Sequence, residues 1–61
     1  MKKEDLTPAI MRLALKYGAA ALREEAELVE EEGSWLHMSL LFLMPDDLRR
    51  MADYAEMQGR L

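Results

Sequence analysis

A cluster of glutamates is the densest group of side chains in this sequence that could do chemistry. Closely spaced carboxylates can hold Mg²⁺ or Ca²⁺, because both ions prefer oxygen ligands. The cluster lacks the spacing and the glycine of a calcium-binding loop, so we predict no metal and no cofactor. A carboxylate-dependent, magnesium-binding all-α enzyme stays open as an alternative. The members of the cluster are Glu24, Glu25, Glu27, Glu30, Glu31 and Glu32.

Nucleophilic catalysis finds little support in the residue types present. His37 is the only histidine and the chain has no cysteine, which excludes a Cys–His nucleophile. Ser34 and Ser39 flank the histidine, but neighbouring positions on one short segment cannot converge as a catalytic triad requires. We therefore predict no catalytic residue and a protein that is not an enzyme.

The length of the chain limits how it can be stabilised. A protein of 61 residues forms at most one small domain, here 1–61, and buries only about 60% of the surface that its unfolded chain exposes. Without cysteines it has no disulfide, and a single histidine cannot form a structural zinc site alone. Association with a second copy is the remaining common source of stability, and we predict a homodimer.

The charge of the chain limits its partners. The formal net charge is -4 and the pI is about 4.8, so the molecule repels phosphate and anionic lipid, and nucleic acid is an unlikely partner. Its longest apolar run is about half of the roughly 20 residues that a membrane-spanning helix needs. The first residues lack the apolar segment of a signal peptide. We predict a cytoplasmic protein without a membrane partner.

The first predicted helix covers residues 8–32. Thr7 is a suitable N-cap, Pro8 suits the first helical position, and Gly33 suits the end. On a helical wheel, small side chains form a line between two rows of large ones, a groove that lets a second helix approach closely. The predicted groove contains Ala14, Gly18 and Ala21, with Leu22 beside it.

The second predicted helix is the apolar stretch "SWLHMSLLFLM", residues 34–44. Ser34 would cap it, and Pro45 would end it. A strand is disfavoured because leucine and methionine dominate and β-branched residues are absent. A helix that is apolar on every side must be buried on every side, so we predict that this segment lies in the oligomer interface. Its predicted interface residues are Trp35, Leu36, Leu40, Phe42 and Leu43.

The third predicted helix covers residues 46–58, with Leu48, Met51, Ala52 and Ala55 on one face. Segments two and three together could form a helix-turn-helix-like unit over 34–58. Arg49 and Arg50 would then face DNA, although Asp46 and Asp47 precede them and would repel phosphate. A DNA-binding regulator is therefore the second alternative.

Acidic residues at the C-terminal end of the first helix are unfavourable beside the negative end of the helix dipole. Cationic neighbours would offset this effect. Lys2 and Lys3 of a partner chain, or the arginines of the third helix, could supply them. The possible partner surface consists of Glu27, Glu30, Glu31, Arg49 and Arg50.

Taken together, these patterns predict an all-α fold with a long N-terminal helix, a short buried central helix and a C-terminal amphipathic helix. Two copies would form a helical bundle by homodimerisation. The predicted function is that of a non-catalytic protein–protein interaction module, an adaptor, regulator or inhibitor whose protein partner the sequence does not identify.

Overall fold

The computed structural model describes residues 7–59, and the helices in this part of the chain number three. They are α1 (Pro8–Tyr17), α2 (Ala19–Glu32) and α3 (Pro45–Gly59). A loop over residues 33–44 joins α2 to α3 and contains one 3-10 turn, Met38–Leu40. No strand occurs between residues 7 and 59, so the predicted all-α class is confirmed. Lys2 and Lys3 lie outside the described residues.

Helix α1 begins where its capping residues predict. The Thr7 hydroxyl accepts a hydrogen bond from the Ile10 N–H at 3.2 Å, and Pro8 occupies the first turn. This cap satisfies one of the N–H groups that the start of a helix leaves without a partner.

The predicted helix over 8–32 is wrong in one respect, because it breaks at Gly18. This residue has φ 88° and ψ 161°, a backbone conformation essentially restricted to glycine. Its N–H still donates to the Ala14 carbonyl at 2.9 Å and its carbonyl accepts from Leu22 N–H at 3.1 Å, so α1 ends and α2 begins without a spacer. A Cβ built on Gly18 would meet no atom within 4 Å. Within the chain, the glycine is therefore explained by its backbone angles and not by a close helix contact.

The break at Gly18 changes what the small residues of α1 pack against. Because the helix breaks at Gly18, Ala14 and Ala21 of the predicted groove lie on two separate helices, and both helices contact α3. Ala14 and Leu22 are fully buried inside the chain, while Ala21 is half-buried. The predicted face of α3 is confirmed as its core side. The buried apolar residues are Ala14, Leu22, Ala26, Val29, Leu40, Leu48, Met51, Ala52 and Ala55.

The ends of α2 and the start of α3 follow their sequence signals. Gly33 adopts the left-handed conformation at φ 69° and its N–H donates to the Val29 carbonyl at 2.9 Å. Helix α3 starts at Pro45, with Asp46 and Asp47 in its first turn, where carboxylates favour the positive end of the helix dipole. None of the three helices over residues 7–59 has the length and apolar character needed to cross a membrane.

The prediction of a buried central helix over 34–44 is wrong. Apart from the turn at Met38–Leu40, the segment is irregular, and only Leu40 within it is fully buried. The backbone N–H groups near the start of the segment donate to a side chain of α2, as described below. Phe42 also has φ 70°, which is incompatible with a right-handed helix.

Candidate functional site

A buried carboxylate on α2 fixes the start of the loop. Glu25 Oε2 accepts hydrogen bonds from the backbone N–H of Leu36 at 2.7 Å and of His37 at 3.1 Å. Its Oε1 lies 3.0 Å from Nδ1 of the His37 ring. Glu25 is fully buried, and a buried carboxylate is tolerated only when such donors replace its water. The loop is therefore bound to α2 through one side chain.

The histidine in this contact also connects the loop to α1. The His37 ring lies on Tyr17 of α1, with ring centroids 4.7 Å apart and planes tilted by 54°. Beyond it, the ammonium group of Lys16 lies 5.7 Å from the centroid of the Tyr17 ring. Helix α1, helix α2 and the loop thus meet at His37.

A second contact closes the loop on itself. The indole Nε1–H of Trp35 donates to the carbonyl of Leu43 at 3.0 Å. The Trp35 ring also meets the edge of the Phe42 ring, with centroids 5.8 Å apart. Phe42, which lies within this closure, has a positive φ of 70°, and such a left-handed conformation costs a residue with a side chain roughly 1–2 kcal/mol.

Between these anchors the loop presents large apolar side chains to solvent. We call this group the apolar loop surface, and its exposed fractions are large: Leu36 69%, Met38 78%, Phe42 75% and Met44 57%. Of the predicted interface residues of this segment, Leu36 and Phe42 belong to the surface. Trp35 and Leu43 lie half-buried behind it, and Leu40 lies in the core. Exposed apolar side chains gathered on one segment are typical of an interaction site.

The arginines of α3 face carboxylates. Arg49 donates to Glu30 at 2.6 and 3.3 Å, and Arg50 to Asp47 at 2.7 Å. The hydrogen bonds that Arg49 donates to Glu30 lower the pKa of the Glu30 carboxyl below its usual value and raise the pKa of Arg49. The predicted cationic neighbour of the acidic helix end is thus confirmed for Arg49. Both arginines are engaged by acids, which weakens the support for DNA binding.

The glutamates of the cluster do not converge on one point. Glu25 turns into the protein, Glu30 pairs with Arg49, and Glu27 and Glu31 are exposed. Over residues 7–59, no group of three histidine or acidic side chains could hold a metal ion. The magnesium-enzyme alternative therefore lacks a site in the described part of the chain.

The Glu25–His37 pair is the feature that sequence reasoning missed. A signal for it was present, because Glu25 follows the buried Leu22 by three residues and precedes the buried Val29 by four. A glutamate on the core-facing stripe of a helix must find hydrogen-bond donors. Which donors it finds cannot be deduced from α2 alone, since they come from another segment.

No model of a known protein family matches this chain. Searches of curated proteins and of solved structures likewise find no match. Function is therefore inferred from the loop, its anchors and the charges around it.

Proposed function

We propose that this protein is a small non-catalytic interaction module, an adaptor, regulator or inhibitor in the cytoplasm. It associates as a homodimeric helical bundle, and the apolar loop surface is its contact face. The observation that carries the proposal is the exposure of Leu36, Met38, Phe42 and Met44 on a loop that the chain holds firmly in place.

The energetics of the loop support this proposal. Burying a large apolar side chain is worth about 1.5–3 kcal/mol relative to leaving it exposed. A flexible loop could fold such side chains inward, yet Glu25 and Trp35 hold the backbone so that they face outward. The exposed apolar side chains and the strained backbone of Phe42 both raise the free energy of the isolated chain. A second chain that covered this surface would offset that cost.

The choice of methionine also fits a contact face. Methionine is flexible and polarizable, so it adapts to an irregular partner surface with little loss of contact. Met38 and Met44 are both exposed at this loop. No observation favours the DNA-binding or magnesium-enzyme alternatives to a comparable degree.

Sedimentation equilibrium on a matched pair of variants tests the proposal. Met38→Gln removes an apolar side chain from the loop surface, whereas Met57→Gln makes the same change on α3. Met57 is also exposed and lies about 18 Å along the helix from Pro45 at 1.5 Å per residue.

We expect the wild type to dimerise at micromolar concentrations. Met38→Gln should raise the dissociation constant at least tenfold, because a two-fold dimer contains the substitution twice. Met57→Gln should change it less than twofold. A wild type that stays monomeric at ~100 μM, or equal effects of the two variants, would refute the proposal. A tenfold change in the dissociation constant corresponds to about 1.4 kcal/mol of binding free energy.

A further inference from the structure

We infer that a second copy of this chain covers the apolar loop surface about a two-fold axis, with the basic edge of α1 in each copy against the acidic end of α2 in the other. This inference rests on the proposed function and specifies its partner and its geometry. Three features of the described residues carry it: a cationic edge, an acidic edge, and the apolar loop surface that follows the acidic edge in the chain.

The basic edge is a short stripe on α1. Arg12, Leu15 and Lys16 are spaced by three and four residues, so they share one face of the helix. All three are exposed, Leu15 by 52%. Neither cation forms an ion pair within residues 7–59.

This edge lies beside the loop. Lys16 is placed over the ring of Tyr17, and that ring contacts His37. His37 stands between Leu36 and Met38 in the chain, and both of these belong to the apolar loop surface. The cationic stripe therefore lies on the α1 side of His37, which is the chain neighbour of two residues of the apolar loop surface.

The acidic edge lies where the loop leaves α2. Glu31 and Glu32 are exposed at the last turn of the helix, which contains no basic residue. Neither forms an ion pair within the described part of the chain. Carboxylates there oppose the negative end of the helix dipole, so cations from a second molecule would stabilise them.

A surface that carries both signs of charge beside an apolar region can match a copy of itself. In a two-fold dimer, residue i of one copy contacts residue j of the other, and j contacts i. Rotation then places each basic edge on an acidic edge and keeps the apolar surfaces together. A partner that was basic throughout would set its cations against Arg12 and Lys16, and like charges at a contact are unfavourable.

The surface area that a stable dimer buries also supports a contact that extends beyond the loop. A specific dimer buries about 800 Å² per partner, whereas even a large aromatic side chain buries only about 150–250 Å² when fully covered. The four partly covered side chains of the loop surface fall short of this area. Further surface must therefore belong to the contact, and in the inferred dimer the flanking edges on α1 and α2 supply it.

A charge-swap experiment tests the pairing. The basic-edge variant is Arg12→Glu/Lys16→Glu, and the acidic-edge variant is Glu31→Lys/Glu32→Lys. Each variant alone places like charges in both contacts of its homodimer, so its dimerisation should weaken at least tenfold. In a 1:1 mixture both contacts of the mixed dimer join opposite charges, and the wild-type affinity should return to within threefold.

Sedimentation equilibrium at 50 mM salt measures these affinities, with helicity checked by circular dichroism. The lysines of the acidic-edge variant favour the C-terminal end of α2, so weaker dimerisation of this variant cannot be attributed to a less stable monomer. A mixture no tighter than the separate variants overturns the inference. Association that depends on Met38 but not on these charges overturns the pairing and leaves the proposed function standing, whereas a monomeric wild type overturns both.

Discussion

Replacing Glu25 by alanine should remove the contact that binds the loop to α2. The substitution deletes the acceptor of three hydrogen bonds, two from the backbone and one from the His37 ring. A hydrogen bond to a charged group contributes about 1.5–3 kcal/mol. The donors are only partly buried, so water replaces some of this loss, and we expect the free energy of unfolding to fall by about 3–5 kcal/mol, less than the sum of the three contacts.

That loss is large for a chain of this size. A stability of about 0.05–0.15 kcal/mol per residue corresponds to roughly 3–9 kcal/mol for a chain of this length. Glu25→Ala should thus move the protein close to its unfolding midpoint in water. Glu25→Gln keeps one oxygen for the backbone N–H groups of Leu36 and His37, and its loss should be smaller, about 1–2 kcal/mol.

Urea unfolding followed by circular dichroism measures the effect on the helices, and the fluorescence of Trp35 reports on the loop. Glu24→Ala is the matched control, since Glu24 is the exposed neighbour on the same helix. An exposed substitution of this kind should change stability by less than about 0.5 kcal/mol. If Glu25→Ala costs no more than Glu24→Ala, the carboxylate does not hold the loop. Should Glu25→Ala fail to fold, the same comparison is made with Glu25→Gln.

Three further perturbations test other features. Phe42→Ile should be about 1 kcal/mol less stable than Phe42→Leu in urea unfolding, because a branched Cβ tolerates a positive φ poorly. Gly18→Ala should destabilise by roughly 1–3 kcal/mol despite the open space around it, since alanine cannot adopt φ 88° and ψ 161° without strain. The lowered pKa of Glu30 means that its pairing with Arg49 stabilises the fold above the usual carboxyl pKa and is lost as the pH falls through the lowered value. The stability difference between wild type and Glu30→Gln should therefore shrink in acid, below about pH 4.3.

Each of these predictions has an outcome that contradicts it. Equal stabilities of the two Phe42 variants would mean that the left-handed backbone is not kept in solution. A more stable Gly18→Ala would indicate the continuous helix that helix propensities alone favour. For Glu30, a stability difference that stays constant from pH 7 to pH 3 would contradict the pairing, and Glu31→Gln serves as the exposed control without an ion pair among residues 7–59.

The elements that the sequence predicts well are those with local causes. The starts of α1 and α3 and the end of α2 depend on Thr7, Pro8, Gly33 and Pro45, whose effects act within one helical turn. The core face of α3 follows from its 3.6-residue period. The contact between Arg49 and the acidic end of α2 also follows, because the charges there require a cation.

The elements that the sequence predicts poorly depend on contacts between residues that lie far apart in the chain. Residues 34–44 have the composition of a buried helix, but Phe42 has a positive φ of 70° and the segment is held by contacts outside a helix. Glu25 accepts hydrogen bonds from two of the segment's N–H groups, and the Leu43 carbonyl accepts one from the Trp35 indole N–H. These bonds are unrelated to helical periodicity. Gly18 costs about 1 kcal/mol inside a helix, and this small penalty does not reveal that the chain would break there. The dimer and its function stay predictions.

Neighbouring positions in the loop have different structural roles. Trp35, His37, Leu40 and Leu43 anchor its shape or enter the core, while the residues of the apolar loop surface alternate with them and face outward. If the loop is a contact face as proposed, substitutions at Leu36, Met38 and Met44 would alter what it contacts with little effect on folding, because exposed sites contribute little to stability. The chain can thus diverge in specificity on a constant backbone, and the same division offers a 61-residue scaffold on which a library of new binding surfaces could be displayed.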